Sequence, residues 1–445
     1  MDDTIRHHAM DIINRLRKAG FRAFIVGGAV RDMVMGLEPK DYDIATDASQ
    51  KDVERLFDKV SPVGAQFGVS LVFLDGKPYE VAQFRMDGEY IDGRRPLGIE
   101  PATELEDIKR RDFTINAMMY DPVEDRIIDL IGGENDITDR VIRTVGDPDI
   151  RFAEDRLRML RAVRFAAQFN FIIKTDTMNS LKYHANHITD VSNERIGDEL
   201  SKMFTCPHPD LALTLLDETG LLEVVLPEIA ALKGIEQPPD YHPEGDVFEH
   251  TRYMLGLFGG GSPTLAFAVL LHDVGKPVTI TKTDRLRFHR HEEAGAAIAV
   301  RILKHLRFSR DTIARVEALV RNHMRFMHVK QMRRSTLKRF IAMDGFDELL
   351  ELFRLDCLAS HGSLDLYEFV KDELQLQLKH EESLSLPNPL INGHDLIALG
   401  YKPGPLFKKI FSDVMDAQLD GRLAAKEEAL KFVQRNFPLA LEEYL

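Results

Sequence analysis

The sequence contains little cysteine, no excess of positive charge and no long apolar segment. Only Cys206 and Cys357 are present among 445 residues, which excludes a disulfide framework and a cysteine metal cluster. Lysine and arginine total 58 against 72 aspartates and glutamates, so the net charge of −14 excludes an overall positive field for nucleic acid. The longest apolar run, 265–271, falls far short of the ~18 residues of a membrane span. We therefore expect a cytoplasmic protein without a signal peptide or membrane anchor.

What the chain does contain is the composition of a folded protein with several cores. At roughly 150 residues per domain, its length predicts about three domains. Hydrophobic residues make up 44% and charged residues 29%, which excludes disordered and fibrous proteins. One compact core is therefore not expected.

Strand and helix signals alternate over the first ~140 residues. Short apolar segments at 23–26, 41–45, 70–74 and 79–84 predict strands, and residues 75–78 predict a hairpin connection between the last two. This pattern is typical of an α/β fold.

A different pattern follows. Glycines, prolines and many charges at 86–109 predict a long loop. From Asp147 onward, apolar residues recur at three- and four-residue spacing, which predicts a nearly all-helical remainder.

A pair of carboxylates lies in a context that suggests phosphate chemistry. Asp41 and Asp43 are two residues apart, so on a strand both side chains leave the same face. Gly28 follows a predicted strand and begins a helix-like stretch in which Arg31 could pair with a phosphate. Glu80, in the next hairpin, is placed to add a third carboxylate. Two Mg²⁺ ions held by such a set would activate a 3′-hydroxyl and neutralise charge on the attacked phosphate.

Five ordered motifs resemble one known family. The sequence is similar to the class II tRNA nucleotidyltransferases and bacterial poly(A) polymerases, whose head is related to DNA polymerase β. The resemblance implies a polymerase-β-like α/β head, with Asp41 and Asp43 as the catalytic metal-binding pair. It implies that Arg111, Asp112 and Asn116 handle the triphosphate and ribose. The motifs are GGAVRD (27–32), PKDYDIAT (39–46), VGAQFGV (63–69), RRDFTINAM (110–118) and EDRLRMLRAVRFAAQF (154–169).

The last motif resembles the one with which the family reads the incoming base. Asp155 and Arg158 are three apart and are expected on one helical face, where an acceptor beside a guanidinium fork can match cytosine and adenine. The alternative is an ordinary salt bridge within a helix. Arg161 and Arg164 lie one and two turns further on, where they meet substrate phosphates or simply solvate the helix.

Two segments distinguish members of the family. The 63–69 motif looks like the tRNA nucleotidyltransferase version, because the poly(A) polymerase version carries basic residues after the glycine. The loop at 84–96 looks complete, whereas CC-adding enzymes have it shortened. The resemblance therefore implies template-independent addition of CCA to tRNA from CTP and ATP. An A-adding half-enzyme and a poly(A) polymerase remain the alternatives.

A second set of histidines and aspartates lies in the helical part of the chain. Imidazole and carboxylate groups are common ligands of transition metals. The surrounding FEHT (248–251), LLHDVGKP (270–277) and HEEAG (291–295) resemble the all-helical HD phosphohydrolase domain. In that resemblance one metal is held by His250, His272, Asp273 and Asp356, and a second by a set that His291 and His323 complete.

This HD domain suggests a second activity. The resemblance implies a metal-dependent phosphatase or 2′,3′-cyclic phosphodiesterase, with Ni²⁺, Co²⁺, Mn²⁺ or Fe²⁺ bound. The alternative is a degenerate domain that only binds tRNA. Twelve Lys and Arg against two acids between 301 and 340 give a local net charge of +10, where a polyanion could dock.

The resemblance implies a multidomain nucleotidyltransferase with Mg²⁺ in the head and tRNA, CTP and ATP as partners. A rival of another class is an HD hydrolase or RNA-binding protein with an inert head. The sequence leaves the oligomeric state open. The expected domains are a nucleotidyltransferase head (1–140), a helical neck with the base-recognition region (141–235), an HD domain (236–384) and a helical tail (385–445).

Overall fold

The computed structural model describes residues 3–61, 68–88, 98–238, 245–282, 286–380 and 386–439. Up to residue 142 it contains strands and short helices in alternation. The elements are α1 (Asp3–Lys18), β1 (Ala23–Val26), α2 (Gly28–Val34), β2 (Asp43–Thr46), α3 (Gln50–Leu56), β3 (Val60–Ser61), β4 (Val69–Leu74), β5 (Lys77–Gln83), β6 (Arg85–Asp87), β7 (Ile99–Pro101), α4 (Glu104–Lys109), β8 (Met119–Asp121), β9 (Arg126–Ile128), α5 (Gly133–Thr138) and β10 (Val141–Ile142), with a 3-10 turn at Thr114–Asn116.

A mixed sheet of seven strands organises this part of the chain. The strands lie in the order β3-β4-β5-β2-β1-β8-β9. β2 pairs in parallel with β5, and the other neighbours pair in antiparallel. All four residues of β1 are buried, which explains its unbroken apolar sequence. The predicted α/β head is confirmed.

The sequence predictions for individual strands hold with small corrections. The strand predicted at 41–45 begins at Asp43, so Asp41 lies just before it. The hairpin of β4 and β5 is present, but its turn is only Asp75-Gly76, both at positive φ, rather than four residues.

The long loop predicted at 86–109 is wrong in part. Residues 85–87 pair with 99–101 as a small antiparallel ribbon. Residues 104–109 form a helix whose Thr103 and Glu106 make a capping box. Residues 89–97 lie outside the described residues.

The rest of the chain is almost entirely helical, as predicted. Two small strand pairs interrupt it, β10 with β11 and β12 with β13. The elements are α6 (Pro148–Glu154), α7 (Leu157–Phe169), β11 (Ile172–Ile173), α8 (Thr175–His184), α9 (Asn193–Phe204), α10 (Pro209–Glu218), α11 (Leu222–Val225), α12 (Pro227–Ala230), α13 (Val247–Phe258), α14 (Pro263–Leu271), α15 (Lys276–Thr279), β12 (Ile280–Lys282), β13 (Leu286–Phe288), α16 (His291–His305), α17 (Arg310–Asn322), α18 (Arg334–Ile341), α19 (Phe346–Ala359), α20 (Asp365–His380), α21 (Gly393–Ala398), α22 (Pro405–Leu419) and α23 (Lys426–Asn436), with 3-10 turns at Ala185–Asp190 and His323–Gln331.

Buried apolar side chains form three clusters in the described parts of the chain. The largest runs without a break from α1 to α20, and a small one covers the other face of the head sheet. The third belongs to the tail, from Ile391 to Val433. The tail therefore has a core of its own, and α22 packs on α18 through Arg339, which contacts Ser412 and Asp416.

Candidate active sites

A cavity of about 520 Å³ lies where the turn after β1, the start of β2 and helix α7 meet. The structure gathers here nearly every residue predicted for nucleotide transfer, although they are spread over most of the first 170 positions. Glu80 is the exception, because it does not line this cavity. The predicted residues in its wall are Gly28, Arg31, Asp41, Asp43, Arg111, Asp112, Asn116, Asp155, Arg158, Arg161 and Arg164.

Asp43 is the better buried of the two predicted metal-binding carboxylates. It begins β2 opposite Val26 of β1, and Asp41 is exposed two residues earlier. Burial and the nearby charges of Glu80 and Asp41 raise the pKa of Asp43 to about 6. The third carboxylate is thus close enough to act on Asp43 electrostatically. Mutual repulsion of this kind is relieved by bound cations, so the set fits Mg²⁺.

The glycine before α2 allows a close approach of cations to this pair. Gly27 has φ +73, and a Cβ there would lie 3.4 Å from Nη1 of Arg111. Arg111 is in turn fixed by Asp107, at 3.0 Å from Nη2. A positive charge is therefore held beside the carboxylates, where a triphosphate would need it.

Arg31 and Asn116 are hydrogen-bonded to each other. Nη1 of Arg31 donates to Oδ1 of Asn116 at 2.7 Å, and Nη2 donates to Asp32 at 2.7 Å. The guanidinium also lies over the ring of Phe169, 4.6 Å from its centroid. These contacts hold the Arg31 side chain in place, and the residue lines the cavity.

Asp112 forms an ion pair with Arg161 in this cavity. Its carboxylate accepts from Nε and Nη2 of Arg161 at 2.8 and 2.6 Å and from Asn116 at 3.3 Å. Burial acts to raise the pKa of Asp112, but the ion pair with Arg161 and its hydrogen bonds lower it to about 2. The carboxylate is therefore ionised and oriented by the protein's own side chains.

The expectation that Asp155 and Arg158 share one helical face is wrong. Asp155 lies in the break between α6 and α7 and caps α7 by accepting from the Leu157 amide at 3.1 Å. Arg158 instead donates to Glu154 at 2.5 Å. The salt bridge proposed as the alternative is also absent between these two residues, yet both side chains still line the same cavity.

Helix α9 supplies two residues that the sequence did not reveal. Nη2 of Arg195 donates to Oδ2 of Asp155 at 2.8 Å, and buried Glu199 accepts from Nε of Arg164. These residues are four apart and so lie on one face of α9. The available signal was their opposite charge at that spacing, which more often indicates an ion pair within one helix.

The opposite side of α9 faces the HD helices. A Cβ on Gly197 would lie only 2.4 Å from the carbonyl oxygen of Leu306, so glycine is required there. Asn193, one turn earlier, contacts His305 at 3.5 Å. Helix α9 therefore packs between the cavity at the start of β2 on one side and the turn after α16 on the other.

The second predicted set converges as well. His291 Nε2 lies 3.2 Å from His323 Nε2 and 3.3 Å from Asp273 Oδ1. His250 Nε2 lies 3.2 Å from Asp356 Oδ1. Two groups have ligand atoms within 4.8 Å of one another, and Asp273 is common to both. The groups are His250, His272 and Asp273, and Asp273, His291 and His323.

The hydrogen bonds of three histidines fix the direction of their free ring nitrogens. Nδ1 of His272, His291 and His323 donates to the carbonyl oxygens of Val269, Phe288 and Val320, at 2.8, 3.0 and 2.7 Å. Each Nε2 therefore presents a lone pair to the centre, as metal-bound histidines do.

The electrostatics of this centre favour a neutral His323 and an ionised Asp273. Burial and the neighbouring His291 and His272 lower the pKa of His323 to about 3. Although burial opposes it, the charges of His272 and Lys276 hold the pKa of Asp273 well below its usual value. Burial also acts to lower the pKa of His291, but the hydrogen bond and charge of Asp273 raise it overall. A transition metal would replace the proton on such an imidazole, because histidine binds metal in its neutral form.

The basic segment at 301–340 is partly neutralised. Arg315, Arg321 and Arg339 pair with Glu348, Glu317 and Asp416 at 3.0, 2.6 and 2.8 Å. Among the described residues of this segment, Lys304, Arg307, Arg310, Lys330, Arg333 and Arg334 are exposed cations.

Two predictions fall largely outside the described residues. Residues 63–67 of the motif at 63–69 and residues 89–96 of the loop at 84–96 are not among the residues that the structure describes. Over the described ranges, no helix is both long enough and apolar enough to cross a lipid bilayer.

Comparison with protein families gives three matches along the chain. The poly A polymerase head domain matches 23–143, the probable RNA and SrmB-binding site of polymerase A matches 170–233, and the HD domain matches 247–348. A CCA-adding enzyme of Levilactobacillus brevis is 31% identical over 425 residues, covering 95% of this chain and 96% of that protein.

Other relatives match over a shorter stretch. A CCA-adding enzyme of Bacillus pumilus is 43% identical over 217 residues, 48% of this chain and 54% of that protein. The match thus spans about half the length of such curated relatives. The crystal structure of a Bacillus stearothermophilus CCA-adding enzyme in complex with CTP superposes with a TM-score of 0.72 and 26% identity, covering 96% of each chain.

Proposed function

The chain belongs to the family of CCA-adding enzymes, and on that premise we propose that it adds CCA to tRNA 3′ ends from CTP and ATP, without a nucleic-acid template. The observation that carries this proposal is the cavity in which Asp41, Asp43 and Arg111 lie together with Asp155 and Arg158. One place thus offers carboxylates for metal, a cation for phosphate and polar groups for a base. The proposed substrate places the protein in the cytoplasm.

The carboxylates and arginines divide the chemistry between them. Asp41 and Asp43, with Glu80 acting through its charge, would hold Mg²⁺, which activates the 3′-hydroxyl and offsets charge on the triphosphate. Arg111, fixed by Asp107, aligns the triphosphate. Asp112 and Asn116 orient a ribose hydroxyl from positions already set by Arg161 and Arg31.

We attribute base selection to Asp155 and Arg158, which line the same cavity. The Asp155 carboxylate accepts from an exocyclic amine, and the Arg158 guanidinium donates to the neighbouring ring acceptor. Cytosine and adenine offer that combination, whereas guanine and uracil present the reverse. A site that leaves polar groups unpaired rejects the wrong base strongly.

The test is addition to a tRNA that lacks its 3′ end. Purified protein is incubated with that tRNA and each NTP singly and together, and the extended ends are sequenced. CCA and nothing longer supports the proposal, addition of A only to tRNA ending in CC indicates the A-adding half-enzyme, and long A tracts indicate a poly(A) polymerase. Absence of addition under all conditions indicates an inert head.

A second function is favoured by the convergent imidazoles of the HD domain. We propose that His250, His272, Asp273 and Asp356, with His291 and His323, bind a transition metal and that the domain hydrolyses phosphate ends of RNA. The metal would polarise the phosphate and supply a nucleophile from water. The exposed cations of 301–340 would meet the RNA backbone.

The two activities are separable by mutation. We expect His272→Ala with Asp273→Ala to abolish bound transition metal, measured by elemental analysis, and hydrolysis of 2′,3′-cyclic phosphates. CCA addition to intact tRNA should remain within a few-fold of the unmodified protein. If the double variant stays folded but loses CCA addition, the HD domain serves tRNA binding, and if the unmodified protein binds no transition metal it is a scaffold.

A further inference from the structure

The HD centre opens into a cavity of about 390 Å³ that the metal-binding residues fill on one side only. Asp273, His291, His323 and Asp356 line that side. The other walls come from the segment before α13, from β13, from the 3-10 turn after α17 and from the end of α19. Their chemistry is not needed to hold a metal, so it indicates what else the cavity accommodates.

Gln237 is the most informative residue of these walls. Its side chain is 7% exposed, and its Oε1 accepts from Nζ of Lys276 at 2.5 Å. Lysine can only donate, so the amide oxygen must face Lys276 and the amide nitrogen must face away from it. That buried nitrogen has no hydrogen-bond partner within the described residues. A buried donor without an acceptor is unfavourable unless a ligand supplies one.

Lys276 adds a second donor at the same place. Its Nζ lies 2.6 Å from Asp273 Oδ2 and 2.5 Å from Gln237 Oε1, which uses two of its three N–H groups. The lysine is 6% exposed and lines the cavity together with Gln237. The two side chains therefore offer donors to a ligand, which selects an oxygen that accepts, such as that of a phosphate.

Part of the remaining lining is apolar, although Arg287, His289 and Ser360 also belong to it. The apolar part consists of Leu286, Phe288, Met324 and Met327, and Met327 at the surface is half exposed. Thioether side chains adapt to flat rings and make favourable contacts with aromatic systems. Inorganic phosphate alone would leave these walls without a contact, whereas a nucleobase would cover them.

We propose that Gln237 and Lys276 form a subsite for the phosphate of a nucleoside phosphate, whose base lies against the wall of Leu286, Met324 and Met327. This inference rests on the proposed hydrolytic role of the HD domain and specifies its substrate class. Gln237 is a binding residue of this subsite and stands outside the metal set. Both a free nucleotide and the last nucleotide of an RNA present this chemistry.

Two variants of Gln237 test whether ligand binding depends on the N–H groups of its amide or on the shape of its side chain. Gln237→Glu keeps an oxygen for Lys276 and removes the donor, and Gln237→Met removes both at nearly the same length. Gln434→Glu, on the exposed face of α23, is the matched control. Binding of adenosine 3′-monophosphate and of glycerol 2-phosphate is measured by calorimetry, with metal content by elemental analysis.

We expect both Gln237 variants to bind adenosine 3′-monophosphate at the HD domain at least tenfold more weakly, with unchanged metal content and CCA addition. The head cavity is the same in the unmodified protein and in all three variants. A difference between them in nucleotide binding therefore comes from the HD cavity. The base-free phosphate should bind more weakly than the nucleotide in the unmodified protein. A tRNA ending in a 3′-phosphate, used as competitor, shows whether RNA ends or free nucleotides are preferred.

Two results overturn the subsite. One is equal nucleotide binding in the unmodified protein and both variants, and the other is equal binding of the base-free phosphate. Either can occur while hydrolysis persists, in which case the HD hydrolase stands without this subsite. If binding depends on Gln237 but no phosphate ester is hydrolysed, the subsite stands and the hydrolase proposal fails.

Discussion

The negative charge of Asp112 contributes to the free energy of unfolding. Its pKa is lowered from 3.8 to about 2, chiefly by Arg161 against the opposing effect of burial. A carboxyl group whose pKa is lower in the folded state stabilises the fold above its unfolded pKa, and this contribution disappears as pH falls through the folded pKa. The two pKa values correspond to about 2 kcal/mol.

We therefore expect Asp112→Asn to lower the free energy of unfolding by about 2 kcal/mol at pH 7, because it leaves Arg161 without its charged partner. The difference from the unmodified protein should shrink between pH 4 and pH 2, as measured by urea unfolding at each pH. Asp139→Asn, at an exposed position, serves as the control. A difference that does not change with pH would assign the loss to packing instead.

Substitution of Asp41 or Asp43 should affect the rate of nucleotide addition rather than the stability of the fold. Asp41→Ala and Asp43→Ala should each reduce nucleotide addition by several orders of magnitude, because electrostatic stabilisation by bound metal is often the largest catalytic contribution. Circular dichroism should show an unchanged fold, and Asp58→Ala at an exposed position should keep full activity. Comparable tRNA extension by the double variant would refute the assignment.

Arg195 should act through Asp155. We expect Arg195→Ala to weaken the preference for CTP and ATP over UTP and GTP, because the Asp155 carboxylate loses its 2.8 Å partner and its fixed direction. The effect should not add to that of Asp155→Ala, since both changes remove one arrangement. Single-turnover selectivity of the two variants and of their combination tests this, with Arg435→Ala as control. Additive effects would show that Arg195 acts elsewhere.

The sequence predicted which residues line the candidate cavity in the head, but it did not predict the hydrogen-bond partners of those residues. Motif order placed Asp41, Asp43 and Arg111 in one cavity because strand ends and turns that follow them meet there. The pairing of Asp155 and Arg158 was wrong because the helix breaks between them, and spacing alone does not reveal a break without glycine or proline. Contacts to α9 depend on tertiary packing, which no local pattern records.

At the scale of elements, the loop predicted at 86–109 shows how one signal obscured another. Its glycines and prolines indicated irregular structure. The spacing of Thr103 and Glu106, however, is that of a capping box and indicates the start of helix α4. Strand β1 was predicted at its full extent, because four consecutive apolar residues ending at glycine leave few alternatives. Short buried strands with clear ends were thus easier to predict than charged segments.

The position of helix α9 depends on the absence of a side chain at Gly197. Gly197→Ala would place a Cβ 2.4 Å from the Leu306 carbonyl oxygen, so the helix must move. We expect a loss of about 1–3 kcal/mol in the free energy of unfolding, typical of overpacking, and reduced nucleotide addition because Arg195 and Glu199 move with it.

The matched control is Gly256→Ala in α13, where the new Cβ would lie 3.4 Å from the Asp210 side chain, an ordinary contact. This variant should be neutral or slightly more stable, because alanine favours helix more than glycine does. Urea unfolding and single-turnover addition are measured for both variants. Equal behaviour of the two would show that α9 tolerates displacement.

At the scale of the whole molecule, the tail and the rest of the chain should unfold separately. The tail cluster from Ile391 to Val433 is distinct from the core that runs from α1 to α20. Their described contacts include Arg339 with Asp416 at 2.8 Å and the Ser335 amide with Asp420 at 3.0 Å. Such partly exposed contacts are individually weak.

We expect two transitions in calorimetry of the full chain and one, at the higher temperature, in a chain ending at residue 385. Asp416→Ala should lower only the first transition, by roughly a few degrees, because it loosens the tail without touching the larger core. Glu427→Ala, in α23, should have a smaller effect. One cooperative transition in the full chain would show that the tail and the larger core stabilise each other.

The clamped position of α9 has a consequence for how the protein is made. The nucleotide cavity needs Arg195 and Glu199, and α9 is held from behind by the Leu306 carbonyl, about a hundred residues later in the chain. At ~5–20 residues per second of synthesis, roughly 5–20 s separate the appearance of these two surfaces on the ribosome. The N-terminal head therefore leaves the ribosome before its own site is complete. We therefore expect the growing chain to select nucleotides only after the HD helix α16 and Leu306 have been translated.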